Sequence, residues 1–284
     1  FKRKISNFLW YIKDFMKTIH KILIAKILSK ILTFFISRNQ NVTRNSIKWC
    51  LDLNEGIDLS IYLFGTSEKK IVNLRKIFTN KSEPLTILDI GANIGSVSLV
   101  IAKMFKNSKI FAIEPTNYAF NKLSNNLNMN QDLINRVHAR QIFISNDKKP
   151  QKVWSSWNFD NSNEKHQKHL GTLKEIKDNS YLKLDEFVEK EKLAKVDFIK
   201  LDVDGYELDV LKSGEKFLKI NKPIIFTEIA PYLYPEFGYN CHDLIKFLKE
   251  LNYNFFDENL KKVSDISILV DTMKDGSTKN FFLF

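Results

Sequence analysis

Cysteine is nearly absent: Cys50 and Cys241 are the only two in 284 residues, and they lie far apart. They fit neither a metal-ligand spacing nor a disulfide framework, so the chemistry is not expected to rest on thiols. A reducing, cytoplasmic compartment is the expectation that follows. Long apolar runs are missing as well. Lys13, Lys17, Lys21, Lys26 and Lys30 interrupt every candidate in the first segment, whereas a bilayer span needs about 20 predominantly apolar residues. The chain begins at Phe1, and no cleaved signal peptide is read into it. Zinc-type clusters are lacking too. His166 and His169 stand at i, i+3 in a polar stretch with no nearby cysteine or acid pair, so they are read as solvated and no metal site is assigned. There is no internal repeat. With 44% hydrophobic and 13% aromatic residues, the composition suits one substantial α/β domain plus an extension.

Acid is scarce in one place only. Residues 1–44 carry ten Lys or Arg against Asp14 alone, which is +9 of the chain's net +11. A basic segment on a nearly neutral domain points to an anionic surface met by that segment. Ile5, Phe8, Leu9, Ile12, Phe15, Met16, Ile19, Ile22 and Leu23 recur at three- and four-residue intervals, which predicts an amphipathic helix. Two readings stand open: a helix lying on an anionic membrane surface, or one packed over its own domain. Nucleic acid would attract the charge but not reward the apolar face, so none is expected as partner. The division implied is an extension over 1–44 and a domain over 45–284.

Short alternating segments at 47–51 and 57–62, broken by Asn54-Glu55-Gly56, predict a hairpin. After a helical stretch through 71–78, strands at 86–90, 109–113, 137–144, 196–201 and 223–228 alternate with helices at 96–105, 118–129, 207–218 and 241–251. Such alternation implies an α/β fold of Rossmann-like type, a largely parallel sheet covered by helices on both faces. Late strands near 253–256 and 279–284 would close it as an antiparallel pair. Residues 154–179 read as a long polar loop. Its Trp154 and Trp157 suit either an acceptor platform or an anchor onto the domain.

The strongest local signal is Asp89-Ile90-Gly91-Ala92-Asn93-Ile94-Gly95-Ser96, between a buried strand and an apolar helix. Gly91 and Gly95 remove side chains where a nucleoside-containing ligand would approach the backbone. In the dinucleotide fingerprint the second and third glycines would fall at Asn93 and Ser96, so the pyrophosphate-binding glycines are missing. Asp89 ahead of the loop suits a ligand with a cationic amino group and no phosphate, such as the methionine end of S-adenosylmethionine. Glu114, a little over 20 residues past Gly91, stands where Rossmann units place the acid that binds ribose hydroxyls. Ser145 and Asn146, with Asp147, could reach an adenine edge, though turn residues look the same. At the end of the next core strand Asp202, Asp204 and Glu207 gather around Gly205. They are placed to face the transferred group or the acceptor, and Asp204 with Glu207 also has the form of a capping box. Asp202 or Glu207 is the candidate base or acceptor clamp. Glu228 ends the following strand, where a carboxylate needs a partner. It could hold a cation together with Asp202 and Asp204.

These blocks resemble the successive motifs of FkbM-type methyltransferases: Asp89-Ile-Gly-Ala-Asn-Ile-Gly95, Glu114-Pro115, Leu184-Asp-Glu-Phe187, Phe198 through Glu207, Leu211-Lys-Ser-Gly214 and Pro223 through Glu228. The resemblance spans roughly residues 49–253. It implies a class I methyltransferase fold, S-adenosylmethionine as cofactor, and O-methylation of a sugar or glycan-type hydroxyl. The chain has Asp204 where the family commonly has glutamate. A nicotinamide-dependent oxidoreductase would share the strand, loop and ribose acid but lacks its glycines here. A non-catalytic membrane-bound scaffold would have lost the cofactor contacts, which are intact.

Overall fold

A computed structural model describes residues 18–80, 82–147, 149–159, 171–176 and 181–284. Residues 1–17 of the basic segment and the pair His166 and His169 lie outside the described residues, as does the Trp157 side chain. In chain order the elements are helix α1 (Thr18–Phe35), strands β1 (Asn39–Arg44) and β2 (Ile47–Asp52), α2 (Gly56–Phe64), a 3-10 turn (Lys69–Asn73) and α3 (Leu74–Ile77). The alternating part follows: β3 (Leu85–Ile90), α4 (Ser98–Met104), β4 (Ser108–Ile113), α5 (Asn117–Asn128), β5 (Val137–Arg140) and β6 (Phe143–Ile144). Next come β7 (Lys152–Trp157), β8 (Gly171–Glu175), β9 (Tyr181–Leu182), α6 (Leu184–Lys190), β10 (Phe198–Leu201), α7 (Glu207–Ser213) and α8 (Glu215–Asn221). The chain ends with β11 (Ile224–Ile229), a 3-10 turn (Tyr234–Phe237), α9 (Cys241–Glu250), β12 (Phe255–Phe256), α10 (Ile266–Asp271) and β13 (Lys279–Leu283).

The central sheet has seven strands in the order β12-β13-β11-β10-β3-β4-β5. β5, β4, β3, β10 and β11 run parallel, and β13 pairs antiparallel with β11 and β12. Period-2 alternation sorts the strand residues onto two faces. Leu88, Ile90, Phe111, Ile113, Ile199 and Leu201 enter one buried cluster, while Ile87, Ile110, Ala112, Phe198 and Phe226 enter the other. Both faces are therefore apolar and covered, as a parallel sheet requires.

Four segments differ from the sequence expectation. The hairpin is β1–β2, with its turn at Asn45 and Ser46, both at positive φ (51° and 61°). An Asn-Gly pair would have announced that turn, and Asn-Ser does not. Residues 56–64, expected as the second strand, are helical, since Ile57, Leu59, Ile61 and Tyr62 also fit a helical face. The free edge of β2 is satisfied by two asparagines at the end of α5: Lys48 N donates to Asn130 Oδ1 (2.9 Å) and Cys50 N to Asn126 Oδ1 (2.8 Å). The single helix expected at 207–218 is split at Gly214, where a Cβ would lie 2.5 Å from Leu184 Cδ2. The expected loop after Trp154 contains the antiparallel pair β7–β8, tied down by Phe159 N donating to Asn54 O (2.8 Å) and by Asn158 on Glu55.

The division at residue 44 falls between the two strands of this hairpin, so the boundary drawn from charge cuts a continuous hydrogen-bonded unit. α1 itself docks. Ile22 and Ser29 are buried, Ile22 packs with Leu53, Leu59 and Phe159, and Ser29 Oγ donates to Asn54 Oδ1 (2.8 Å). Its other side stays bare: Leu23, Ile27, Ile31 and Phe34 are 50–82% exposed. Deleting a buried isoleucine's methyl groups costs about 2–5 kcal/mol, and an exposed one about 0.5 kcal/mol or less. Ile22→Ala is therefore expected to lower Tm by several degrees and Ile27→Ala to leave it unchanged. Equal effects in thermal melts would show that α1 does not dock through Ile22.

Candidate active site

A cleft of about 1090 Å³ opens at the carboxyl edge of the parallel strands. The ends of four neighbouring strands reach it with Gly91 after β3, Glu114 after β4, Asp202 after β10 and Glu228 in β11. Ligands of open α/β sheets bind at this edge because the strand-to-helix turns splay there.

The β3 and β10 turns are locked together. Gly91 has φ +81°, and a Cβ there would stand 1.9 Å from the Asp202 carbonyl oxygen, so no other residue fits. Lys200, in the middle of a buried strand and only 6% exposed, sends its ammonium to Gly91 O (2.7 Å), Asp202 Oδ2 (3.3 Å) and Asp89 Oδ1 (3.6 Å). Burial pushes this ammonium toward neutrality, but Asp202 and Asp89 outweigh it and hold its pKa above the ordinary lysine range. Asp89 is fully buried, accepts from Ser98 Oγ (2.5 Å), and lies behind the loop rather than on the cleft wall. A role for it toward a ligand's amino group is thus replaced by one toward Lys200. Gly95 also has an internal purpose: a Cβ there would meet Leu123 Cδ1 of α5 at 2.7 Å. Gly91 and Asn93 do line the cleft, and Asn93 sits at φ +50° with its side chain accepting from Ile94 N (2.8 Å).

Glu114 is buried at the cleft wall and accepts from Asn93 N (3.0 Å), Thr116 N (3.0 Å) and Thr116 Oγ1 (2.6 Å). Burial raises its carboxyl above the usual range, while the three donors pull the other way. A carboxylate offers about four acceptor positions, so room remains for one ligand hydroxyl. Ser145 and Asn146 do not line the cleft. Ser145 Oγ (2.6 Å) and Asn146 N (3.1 Å) donate to Asp209 of α7, and the Asn146 side chain donates to Asp147. The residues just before them, Ile142, Phe143 and Ile144, form an apolar part of the wall instead, and Trp154 of β7 stands in the cleft as well.

The acids after β10 also divide. Asp202 is half-exposed in the cleft, with Lys200 beside it. Glu207 is turned away from the cleft and accepts from Val203 N (3.1 Å) and Gly205 N (3.1 Å), fastening its own loop. Burial raises its carboxyl to about 7. It braces the turn and does not face an acceptor. Asp204, at φ +49°, and Glu228 both line the cleft. Burial, then the charge of Asp202, raises both carboxyls well above the usual range, and Thr278 donates to Glu228. Among the described residues no group of acids, histidines and cysteines has the arrangement of a metal site.

This donor set suits a cationic nucleoside cofactor. Acids without phosphate-binding glycines complement a sulfonium and an amino group, Glu114 suits ribose hydroxyls, and the 142–144 wall suits a flat base. The architecture is that of a class I Rossmann-like enzyme. The pattern of the methyltransferase FkbM domain matches residues 89–255, and the chain belongs to that family of S-adenosylmethionine-dependent methyltransferases. Methyltransferase sdnD of Sordaria araneosa is 28% identical over 200 residues, covering 58% of this chain and 76% of that protein. Among solved structures, methyltransferase FkbM from Methylobacillus flagellatus aligns at 15% identity and TM-score 0.44 over 80% of this chain. The chain spans about half of that structure's length (52%). TYW2 of M. jannaschii, crystallised in complex with AdoMet, aligns at 14% identity and TM-score 0.40, over 87% of this chain and 85% of that one.

Lys200 escaped the sequence reading. Its signal was a lysine at an inward position of an otherwise apolar strand, Phe198-Ile199-Lys200-Leu201. Removing one partner of a buried ion pair costs about 3–5 kcal/mol because the other charge is stranded. Lys200→Met should lose that much in chemical denaturation, and adding Asp89→Asn should restore part of it. Strictly additive losses would show that the two side chains are not coupled.

Proposed function

We propose that the chain methylates a hydroxyl of a sugar or glycan-type acceptor, with Asp204 and Glu228 taking up the hydroxyl proton. The observation that carries this reading is the placement of these two carboxylates, both with raised pKa, in the cleft that also holds Gly91 and Glu114. When bound, S-adenosylmethionine supplies an electrophilic methyl group on a sulfonium. Glu114 would accept from a ribose hydroxyl, Ile142 through Ile144 would cover the base, and Asp202 would take the part toward the amino group that the buried Asp89 cannot. Burial and the neighbouring charge of Asp202 raise the proton affinity of both carboxyls, which makes their ionised forms basic enough to accept a proton as attack proceeds. General-base catalysis contributes about 10²–10⁴-fold. Asp204→Asn or Glu228→Gln should therefore lower kcat by at least about 100-fold on an accepted sugar while cofactor Kd stays within a few-fold. Glu114→Ala should do the reverse, weakening cofactor binding by about 1.5–3 kcal/mol. Normal turnover in both carboxamide variants would remove the base assignment.

A second reading concerns where the enzyme works, and the bare face of α1 favours it. Leu23, Ile27 and Ile31 are spaced by four and continue to Phe34, beside Lys26 and the exposed Lys30. Among the described residues no helix is long and apolar enough to cross a membrane, so such a face suits adsorption in the plane of an anionic leaflet, here the cytoplasmic one. α1 packs on α2, whose Gly56, Ile57 and Ser60 line the cleft, so the surface would lie close to the acceptor's path. Each basic residue at an anionic surface adds about 1 kcal/mol. The full chain should co-sediment with anionic but not neutral vesicles. A variant with serine at Leu23, Ile27, Ile31 and Phe34 should not, because those positions leave the docked face intact. Equal sedimentation of the two proteins would eliminate the membrane contact.

A further inference from the structure

The cleft has a further wall made of residues that the proposed cofactor contacts and proton transfer do not involve. It is assembled from three distant segments: the 3-10 turn with α3, the turn at Glu258 and Asn259, and the start of β13. Lys69, Asn73 and Lys76 line the cleft from the first segment. Lys70 and Lys279 line it too, which sets four lysines against Glu68 and Glu258.

The wall is held together by named bonds. Asn280 Nδ2 donates to Glu68 Oε2 (3.1 Å) and Glu258 Oε1 (3.3 Å), and Asn73 Nδ2 donates to Glu258 O (2.7 Å). Lys70 Nζ donates to Asn259 Oδ1 (3.0 Å) and lies 3.9 Å from Glu258. Asn280 is also the register partner of Glu228, so this wall is fixed directly against the proposed base. Charge in the cleft is therefore segregated, with acids at the ends of β10 and β11 and an excess of ammonium groups beyond them.

A cationic cofactor accounts for the acids, and a neutral sugar would need no lysines. Resting on the reading that this cleft takes a hydroxyl acceptor, we propose that the lysine wall binds a phosphate or diphosphate carried by the acceptor, which seats the hydroxyl at Asp204 and Glu228. No arginine lines the cleft among the described residues. Planar carboxylates are best gripped by the guanidinium fork, whereas lysines act as point charges well suited to the compact charge of a phosphate. Two sources carry this chemistry, a soluble nucleotide sugar and a lipid-linked sugar diphosphate.

The direct probe is inorganic pyrophosphate, titrated calorimetrically into the protein saturated with S-adenosylhomocysteine so that the cofactor end is blocked. Binding is expected, and Lys69→Ala with Lys76→Ala should weaken it at least about ten-fold, the loss of one to two charge-assisted contacts. A control with Lys219→Ala and Lys246→Ala, exposed lysines on α8 and α9, should bind as the parent does. No binding, or equal loss in both double variants, overturns the proposal. Methyl transfer is then compared among glucose, UDP-glucose and a polyprenyl-diphosphate-linked glucose in vesicles. A preference of about ten-fold or more for either phosphorylated form, lost in the Lys69/Lys76 variant, supports the wall and identifies its source. Equal use of plain glucose overturns it. Lysine-dependent pyrophosphate binding without methylation of any sugar keeps the anion wall and removes the glycan reading.

Discussion

An ammonium buried between two strand ends is costly to hold, because desolvation penalises an ion by several kcal/mol even after relaxation. Lys200 meets that cost with the Gly91 carbonyl at 2.7 Å and the carboxylates of Asp89 and Asp202. Each partner belongs to a different piece of the site: Asp89 to the body of β3, Gly91 to the turn that follows it, Asp202 to the turn after β10. One cation thereby fixes the separation and orientation of both turns, and the tight approach of Asp202 O to Gly91 is the backbone side of the same contact. From the Gly91 turn the constraint passes outward. Asn93 N meets Glu114 at 3.0 Å, and Glu114 in turn holds the β4 turn through Thr116. Glu207 does the equivalent for the β10 turn. The cleft wall is thus prearranged before any ligand arrives, which spares binding the entropy of ordering it.

The same residues sort the acids by function. Four carboxylates have their charge consumed by the fold or shared with it: Asp89 by Lys200, Glu207 by backbone N–H groups, Glu114 by Asn93 and Thr116, and Asp202 in part by Lys200. Asp204 and Glu228 face the cleft with carboxyls raised by burial and by the charge of Asp202, offset only in part by Lys200 at Asp204 and by Thr278 at Glu228. Asp89, Glu114 and Glu207 also have raised carboxyls, but theirs are engaged by donors that hold the fold together. The proposed base therefore follows from elimination within one network rather than from the presence of an acid as such.

The alternation of strands and helices was legible because burial on both sheet faces writes continuous apolar runs, and Glu114 and Gly91 were legible because their spacing follows from strand and helix lengths. The purposes of the glycines were not. A sequence shows that a side chain is missing but not what fills the space, which for Gly91 is the Asp202 carbonyl and for Gly95 is Leu123. A polar residue after a strand reads the same whether it faces a cleft or a helix, and the Ser145 hydroxyl here faces Asp209. Of Asp202, Asp204 and Glu207, expected to gather at the cleft, the first two line it and Glu207 turns back onto its own loop, a difference in side-chain direction that spacing does not encode. The wall carrying Lys69 and Lys279 was invisible, since it joins segments more than half the chain apart.

α1 shows why two readings of one segment can both hold. A helix with a single apolar stripe buries it and presents a polar face to water. The 18–35 helix has apolar residues on more than one side, so docking Ile22 against Leu53 and Leu59 leaves Leu23, Ile27, Ile31 and Phe34 still exposed. Contiguous exposed apolar surface on a folded protein is a cost that persists unless a second apolar phase covers it. The docked face holds the helix against α2, and α2 lines the cleft, so whatever covers the outer face is held near it. A lipid leaflet there would bring its anionic headgroups alongside the basic segment, and a lipid-linked diphosphate would extend from that same surface toward the lysine wall. The proposed bilayer contact and the proposed anion wall thus make one geometric demand on the acceptor: a charged anchor on one side, and a neutral hydroxyl reaching inward to Asp204 and Glu228.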